Sequence, residues 1–356
     1  MKILELTRSF HPSIGGMEKF VSDRLEIYHA LEHDYQVITT THSEKILNNS
    51  EKLDTVKYLP SYTPYEISPN LNRAMNLEYD VLSVNQVGYY YSDFAINRAH
   101  KQGKRIIVTP HFYFHTDRFK LFKRFHSTYV LPRIFQKVHR IICFTKYEAN
   151  FWINKFPHTE NKISIIPHYF KWLPVHSEST RNDYGDYFLY LGRGEKNKRI
   201  DLLITAFDKM QTNTQLILTI NIDEISSSLN EIIKKNGRIH LLGRVSEEEK
   251  HQLLTNCIAV VLPSDYEAFG IVNLEASYYK KPLILSELEV FSGILNRDGI
   301  IYFKNNLKSI EVAIRKIITM GNEGRSIMGE KNYLNLKNYS FELVSKKYAR
   351  LFDELF

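Results

Sequence analysis

Glu267 and Glu275 are separated by seven residues, Ala268-Phe269-Gly270-Ile271-Val272-Asn273-Leu274, directly after an apolar run ending at Leu262. The pattern places Glu267 on a loop and Glu275 on the second turn of a helix, so the two carboxylates bracket a helix N-terminus. Such an end turns free N–H groups toward phosphate, while each carboxylate accepts hydrogen bonds from sugar hydroxyls. Arg193 and Lys198 follow the run Tyr187 to Leu191, and a planar fork beside a mobile point charge suits a diphosphate. Gly15-Gly16 precedes a helical segment after the first apolar run, where backbone N–H groups can approach an anion. His111 and His115 follow a fourth apolar run; a histidine at a strand's carboxyl end can donate to a phosphate or stabilise developing charge. Their spacing of four would suit a metal only on a helix, and neither cysteine nor an HExxH pattern completes a ligand set. Each feature taken singly also fits a plain turn, a solvated basic loop or a structural histidine. No GxGxxG or GxxxxGK[ST] occurs, which argues against a nicotinamide or P-loop site.

These residues need strands and helices to hold them. Apolar, β-branched runs alternate with segments of helical period from Lys2 to about Met320, which argues parallel sheets covered by helices. In the first half, strands are expected near Lys2 to Leu6, Tyr35 to Thr40, Val81 to Val84, Arg105 to Thr109, Arg140 to Phe144 and Ile163 to Ile166. In the second half they are expected near Tyr187 to Leu191, Leu216 to Ile220, Ile239 to Leu242, Cys257 to Leu262 and Pro282 to Leu285. Ser246 with Glu249 three residues on predicts a capping box. The period breaks over His168 to Asp186, a polar, proline-containing stretch that reads as a linker, and the domain boundary is placed near residue 175. Ser340 to Phe356 reads as one amphipathic helix.

The chain has 356 residues, of which 43% are apolar and 24% charged, the balance of a folded globular protein of about two domains. Neither a signal peptide nor a membrane span is visible, and the two cysteines, Cys143 and Cys257, sit in apolar runs. Disulfide scaffolds and cysteine-based zinc sites are excluded, and a reducing cytoplasm fits. Residues 1 to 170 hold 22 basic and 16 acidic residues, so nearly all of the net +7 lies in the first half. Within it, Arg118 to Arg140 carries seven cations, no carboxylate, and Phe119, Phe122, Phe125, Tyr129 and Phe135.

In joint order these motifs resemble the retaining nucleotide-sugar glycosyltransferases of family 4, along nearly the whole chain. Glu267 to Glu275 is similar to the family's E-x7-E signature with its internal Phe-Gly, and Gly192-Arg193 with Lys198 to its diphosphate-binding pattern. Gly15-Gly16-Met17-Glu18 resembles its N-terminal glycine loop, and Leu242-Gly243-Arg244-Val245-Ser246 its base-binding turn. The resemblance implies an α/β GT-B architecture: two Rossmann-like doubly wound domains facing a central cleft. Residues 1–175 would form the acceptor-side domain, 176–338 the nucleotide-sugar-binding domain, and 339–356 a helix returning toward the first domain. It implies transfer of a sugar from a nucleoside diphosphate sugar, UDP or GDP, to an acceptor hydroxyl with retention and with no required metal or cofactor. Carried over residue by residue, Glu267 would hold donor-sugar hydroxyls and His111 would stabilise the transition state beside them. Arg193, Lys198, Gly16 and the helix-start residues Phe269 and Gly270 would bind the diphosphate, and Glu275, Arg244 and Val245 the ribose and base. Two departures stand out: Pro167-His168-Tyr169-Phe170 where members often have Pro-Asn-Gly, and Glu287-Leu288-Glu289-Val290 where a glycine pair is usual.

The basic aromatic segment 118–140 lies on the side that resembles the acceptor domain. It predicts a peripheral protein at the inner face of the cell membrane, held by anionic headgroups and acting on a lipid-linked or other glycan acceptor in cell-surface polysaccharide or glycoconjugate synthesis. The competing classes are a GT-B sugar-nucleotide epimerase, for which a different carboxylate set is expected, and a non-catalytic basic binding protein. A nucleic-acid binder is the plain reading of a pI near 9.0, and no nucleic-acid partner is expected.

Overall fold

The computed structural model describes residues 1–12, 15–41, 55–62, 67–111, 124–171 and 183–356. The chain forms two compact units, Met1–Tyr169 with Phe341–Phe356, and Phe170–Ser340. The expected boundary at 175 lies outside the described residues. Phe170 belongs to the second unit because its N–H donates to Tyr339 O at 2.7 Å, and the Tyr339 hydroxyl donates in turn to Ile294 O. The second join therefore falls after Ser340 rather than after residue 338.

The first unit is a seven-stranded parallel sheet of β1 (Lys2–Thr7), β2 (Asp34–Thr41), β3 (Val56–Pro60), β4 (Val81–Asn85), β5 (Arg105–Thr109), β6 (Arg140–Cys143) and β7 (Ile163–Ile165). Its order is β3-β2-β1-β4-β5-β6-β7. The helices α1 (Gly16–Ala30), α2 (Tyr90–Lys101), α3 (Leu131–Lys137) and α4 (Lys146–Lys155) belong to it. The second unit is a six-stranded parallel sheet of β8 (Tyr187–Tyr190), β9 (Gln215–Leu218), β10 (Ile239–Leu241), β11 (Ala259–Leu262), β12 (Leu283–Ser286) and β13 (Ile300–Phe303), in the order β10-β9-β8-β11-β12-β13. Its helices include α5 (Ile200–Lys209), α6 (Ser227–Lys235), α7 (Glu247–Asn256), α8 (Ile271–Tyr278) and α9 (Leu307–Asn335), the last interrupted at Gly321. The last helix, α10 (Phe341–Asp353), packs in the first unit, with Phe352 edge-on to His33 at 5.0 Å and Phe341 to Tyr169 at 5.1 Å.

Strands covered on both faces need continuous apolar residues, and β4, β8, β11 and β12 are buried at every position. Two strands do not stand out in the sequence, β3 and β13, and both are sheet edges. With one neighbour β3 tolerates the alternation of Val56-Lys57-Tyr58-Leu59-Pro60, where Lys57 is exposed and Pro60 removes a donor, whereas β13 is apolar throughout as Ile300-Ile301-Tyr302-Phe303. The expected strand from Cys257 begins two residues later, because Cys257 closes α7 by donating its N–H to Leu253 O. Each sheet reverses its winding once, between β1 and β4 and between β8 and β11, and ligands of doubly wound sheets sit beyond the strand ends at that reversal.

Candidate functional site

In the second unit the two reversal strands are neighbours, and the charged motifs follow them. After β8 come Gly192 and Arg193, then a short turn to Lys198 and the left-handed Arg199 (φ 48°) that opens α5. After β11 comes the loop carrying Glu267. Lys198 Nζ donates to Glu267 Oε1 at 2.6 Å, and Ser264 Oγ donates to the same oxygen at 2.9 Å. Both charged side chains keep some exposure, 21% and 12%. The ammonium has three donors, so it can hold the carboxylate and still present N–H to a further oxygen. Arg199 fastens the two loops together by donating to Asp201 and to both carboxylate oxygens of Asp265 at 3.2 Å.

Gly270 sits at φ 83° as the N-cap of α8, and a Cβ there would fall 2.5 Å from Asn273 Nδ2, so the loop-to-helix turn requires glycine. Phe269 is buried, its ring 5.9 Å from that of Tyr339, which leaves its backbone to serve the helix start. Glu275 lies on the second turn and is buried, and Lys250 Nζ of α7 reaches its Oε1 at 3.1 Å. The capping box of α7 forms as expected, Ser246 with Glu249. Just before it, exposed Arg244 donates its N–H to Asn221 Oδ1 at 3.3 Å and Val245 is half-buried. Lys250 thereby ties Glu275 to the helix that the Arg244-Val245 turn opens. The Arg193 guanidinium is half-exposed and lies 3.4 Å from Glu195.

In the first unit, α1 starts at Gly16, preceded by extended Gly15, and a Cβ on Gly16 would meet nothing within 4 Å. The fold itself does not demand glycine there. His111 follows β5 in a left-handed conformation (φ 51°), so it is not on a helix; His115, like all of 112–123, lies outside the described residues. Its ring packs edge-on to Phe20 and Phe144, at 5.0 and 5.1 Å, and its Nε2 lies 3.2 Å from Asn85 Oδ1. Asn85 Nδ2 donates to Glu5 and to Leu6 O, which turns its Oδ1 toward Arg24 and His111. Nε2 of His111 is therefore the protonated nitrogen and Nδ1 keeps a lone pair. Burial, reinforced by Arg24 and by His168, holds His111 well below the usual imidazole pKa, so the ring is neutral. His168, enclosed by Phe20 and Phe144, is pushed down to about 3 by burial and by Lys19 and Arg24.

Behind His111 lies a polar cluster that motif spacing does not reveal. Arg24, 1% exposed, pairs with fully buried Glu5, donates to Asn85 Oδ1 at 2.7 Å and to Thr109 Oγ1 at 3.0 Å, and lies over the Phe20 ring at 4.6 Å. Tyr28 adds its hydroxyl to Glu5 Oε2 at 3.1 Å. The one trace in the sequence is a glutamate inside the apolar strand Lys2-Ile3-Leu4-Glu5-Leu6-Thr7.

Fold and site define a protein of two doubly wound α/β units with charged groups gathered at the reversal of the second sheet. Two family models match, Glycosyltransferase Family 4 over residues 14–169 and Glycosyl transferases group 1 over residues 175–334, together most of the chain. An uncharacterized glycosyltransferase, MJ1178 of Methanocaldococcus jannaschii, is 24% identical across 100% of this chain and 99% of its own. The GDP-mannose:cellobiosyl-diphosphopolyprenol alpha-mannosyltransferase of Xanthomonas oryzae is 24% identical over 84% of this chain and 82% of its own. Among solved structures, Anabaena Alr3699/HepE in complex with UDP and glucose aligns over 100% of both chains with a TM-score of 0.79 at 15% identity, a likeness of fold. The chain belongs to the group 1/family 4 glycosyltransferases and has the GT-B fold.

Proposed function

We propose that this glycosyltransferase moves a sugar from a nucleoside diphosphate sugar to a hydroxyl of a glycan acceptor, with retention of anomeric configuration and no required metal. The observation that carries the reading is the Lys198–Glu267 pair beside the Gly270-capped start of α8, at the reversal of the second sheet. Lys198 and Arg193 neutralise the leaving diphosphate, a task that divalent cations perform in other transferases. The helix-start N–H groups at Phe269 and Gly270 and the backbone N–H of Gly16 hold its oxygens. Glu267 orients the donor-sugar hydroxyls, Glu275 accepts from the ribose diol, and Arg244 and Val245 flank the base. His111, neutral with its proton on Nε2, offers Nδ1 as an acceptor to a sugar hydroxyl. The acceptor then attacks on the face the diphosphate leaves, through an oxocarbenium-like state, with the departing phosphate as base.

A lipid-linked acceptor is supported by the diphosphopolyprenol in the name of the Xanthomonas relative and by the diphospho-undecaprenol in that of a Campylobacter jejuni relative. UDP in the solved neighbour and GDP-mannose in the relative name two donor bases. Peripheral attachment to an anionic membrane fits the described part of segment 118–140, where Phe125 and Tyr129, each more than half exposed, stand with exposed Arg124 and Arg133. No helix among the described residues is long and apolar enough to cross a membrane.

A thermal-shift series with UDP, GDP, ADP and their sugar conjugates tests the donor site, since a ligand of the folded state raises the melting temperature. One nucleotide should stand out and lose its effect in Arg193→Ala. No shift from any of them would overturn the donor assignment. Turnover should persist in EDTA, and flotation with anionic vesicles at low salt should carry the protein upward; no co-migration would remove the membrane reading.

A further inference from the structure

At the end of the first sheet opposite His111, the basic residues form a second concave site. β5 begins at Arg105 and ends at Thr109, so by the rise of a strand its two ends lie roughly 13 Å apart. The neighbouring strands β6 and β7 begin at Arg140 and directly after Lys162. These N-terminal strand ends, together with the C-terminus of α3 and the tail after α10, surround a pocket of about 510 Å³. Arg105, Lys137, Arg140, Lys162, His139 and His100 line it, against one lining carboxylate side chain, Glu354.

That carboxylate is engaged by Arg140, 3.4 Å away, and by Arg350 at 2.9 Å. Lys162 Nζ donates to Phe135 O at 3.0 Å and Gln136 O at 2.9 Å, which caps the negative end of α3 without neutralising the ammonium. Burial lowers the Lys162 pKa. Arg105 lies over the Phe356 ring at 5.6 Å, and among the described residues it has no carboxylate partner. His139 accepts the Ile106 N–H on Nδ1 at 3.1 Å, so its proton is on Nε2, and burial first, then Arg105, Lys162, His100 and Arg140, oppose its protonation. Four cationic side chains, one carboxylate side chain and a neutral N–H donor around a cavity of this size make a site for an anion with several oxygens. The two cations at the end of the basic aromatic stretch, Lys137 and Arg140, line this pocket.

We propose that the pocket is a second ligand site, which takes a phosphoryl group carrying at least two negative charges. It lies at the strand ends opposite those that carry the donor-site residues of this unit, and the proposal stands independently of the donor reading. The phosphoryl group could arrive as a free phosphate compound or on a lipid headgroup, and the two sources are separable by experiment. Inorganic pyrophosphate is titrated calorimetrically into Arg193→Ala/Lys198→Ala protein, whose proposed donor-site cations are gone, with and without the added changes Arg105→Gln and Lys162→Gln. Saturable binding in the first protein, weakened at least about tenfold in the second, is the expected result, since it removes two charge-assisted contacts. Arg105→Gln alone, which leaves the α3 cap in place, should weaken binding in the same direction, and Arg105→Lys should retain most of it. Vesicles of phosphatidylcholine with and without phosphatidic acid separate the sources: sedimentation with phosphatidic acid that pyrophosphate and Arg105→Gln both abolish means a headgroup, and pyrophosphate binding without such sedimentation means a free ligand. Absence of saturable pyrophosphate binding in the Arg193→Ala/Lys198→Ala protein, or binding that Arg105→Gln leaves unchanged, overturns the proposal.

Discussion

The two units treat their charges in opposite ways. In the first, Arg24 is sealed among Glu5, Asn85, Thr109 and the Phe20 ring, and two neutral histidines pack against that same ring. In the second, Lys198, Glu267 and Arg193 keep part of their surface in water. A buried pair cannot be traded for a ligand without leaving an uncompensated ion, whereas a pair that water reaches leaves a smaller penalty. The first unit thus holds a sealed polar wall, and the second presents charge that water still reaches.

The strongest way to break this contrast is Arg24→Leu. It leaves Glu5 buried and unpaired, so unfolding in urea should show a loss of about 3–5 kcal/mol, partly restored by adding Glu5→Leu. A loss under about 1 kcal/mol would mean that water reaches Glu5 and that the wall is not sealed. In the second unit the order reverses: Lys198→Ala should lower kcat/KM by roughly 10²–10³ while stability moves by less than about 1 kcal/mol. Equal effects of the two changes on stability would erase the distinction.

The histidines sharpen it through pH. His168 has a folded pKa near 3, below the unfolded value of about 6.5, so the unfolded chain binds the extra proton in that window. The stabilisation is complete above pH ~6.5 and falls by up to ~1.4 kcal/mol for each unit toward pH 3. His168→Phe should remove one proton's worth of slope from stability measured against pH. The smallest effect on folding belongs to Gly16→Ala: a Cβ there meets no neighbour, so the melting temperature should hold while nucleotide-dependent stabilisation drops. Gly270→Ala is its counterpart, expected to cost roughly 1–3 kcal/mol because φ is 83° and Asn273 is in the way.

Much of this molecule can be read before folding. Strands buried on both faces must be written in apolar residues, and β4, β8, β11 and β12 are plain for that reason, while the edge strand β3 escapes because one neighbour demands less. Arg193, Lys198, Glu267 and Glu275 are visible because charges placed just past apolar runs have few purely structural reasons to recur in that order. The cluster behind His111 is hidden because Glu5, Arg24, Asn85 and Thr109 are spread over 105 positions and share no spacing rule.

The sequence by itself determined the alternation of strands and helices, the chemical types at the strand ends and the glycine at the start of α8, since each follows from local periodicity or backbone geometry. Only the tertiary structure decided which charges meet: that Lys198 holds Glu267 while Lys250 holds Glu275, that Arg199 binds Asp265, and that Asn85 sets the His111 proton. Those pairings join residues 25 to 69 positions apart, and whether a pair is sealed or reached by water depends on burial, which comes into being only when the sheets assemble.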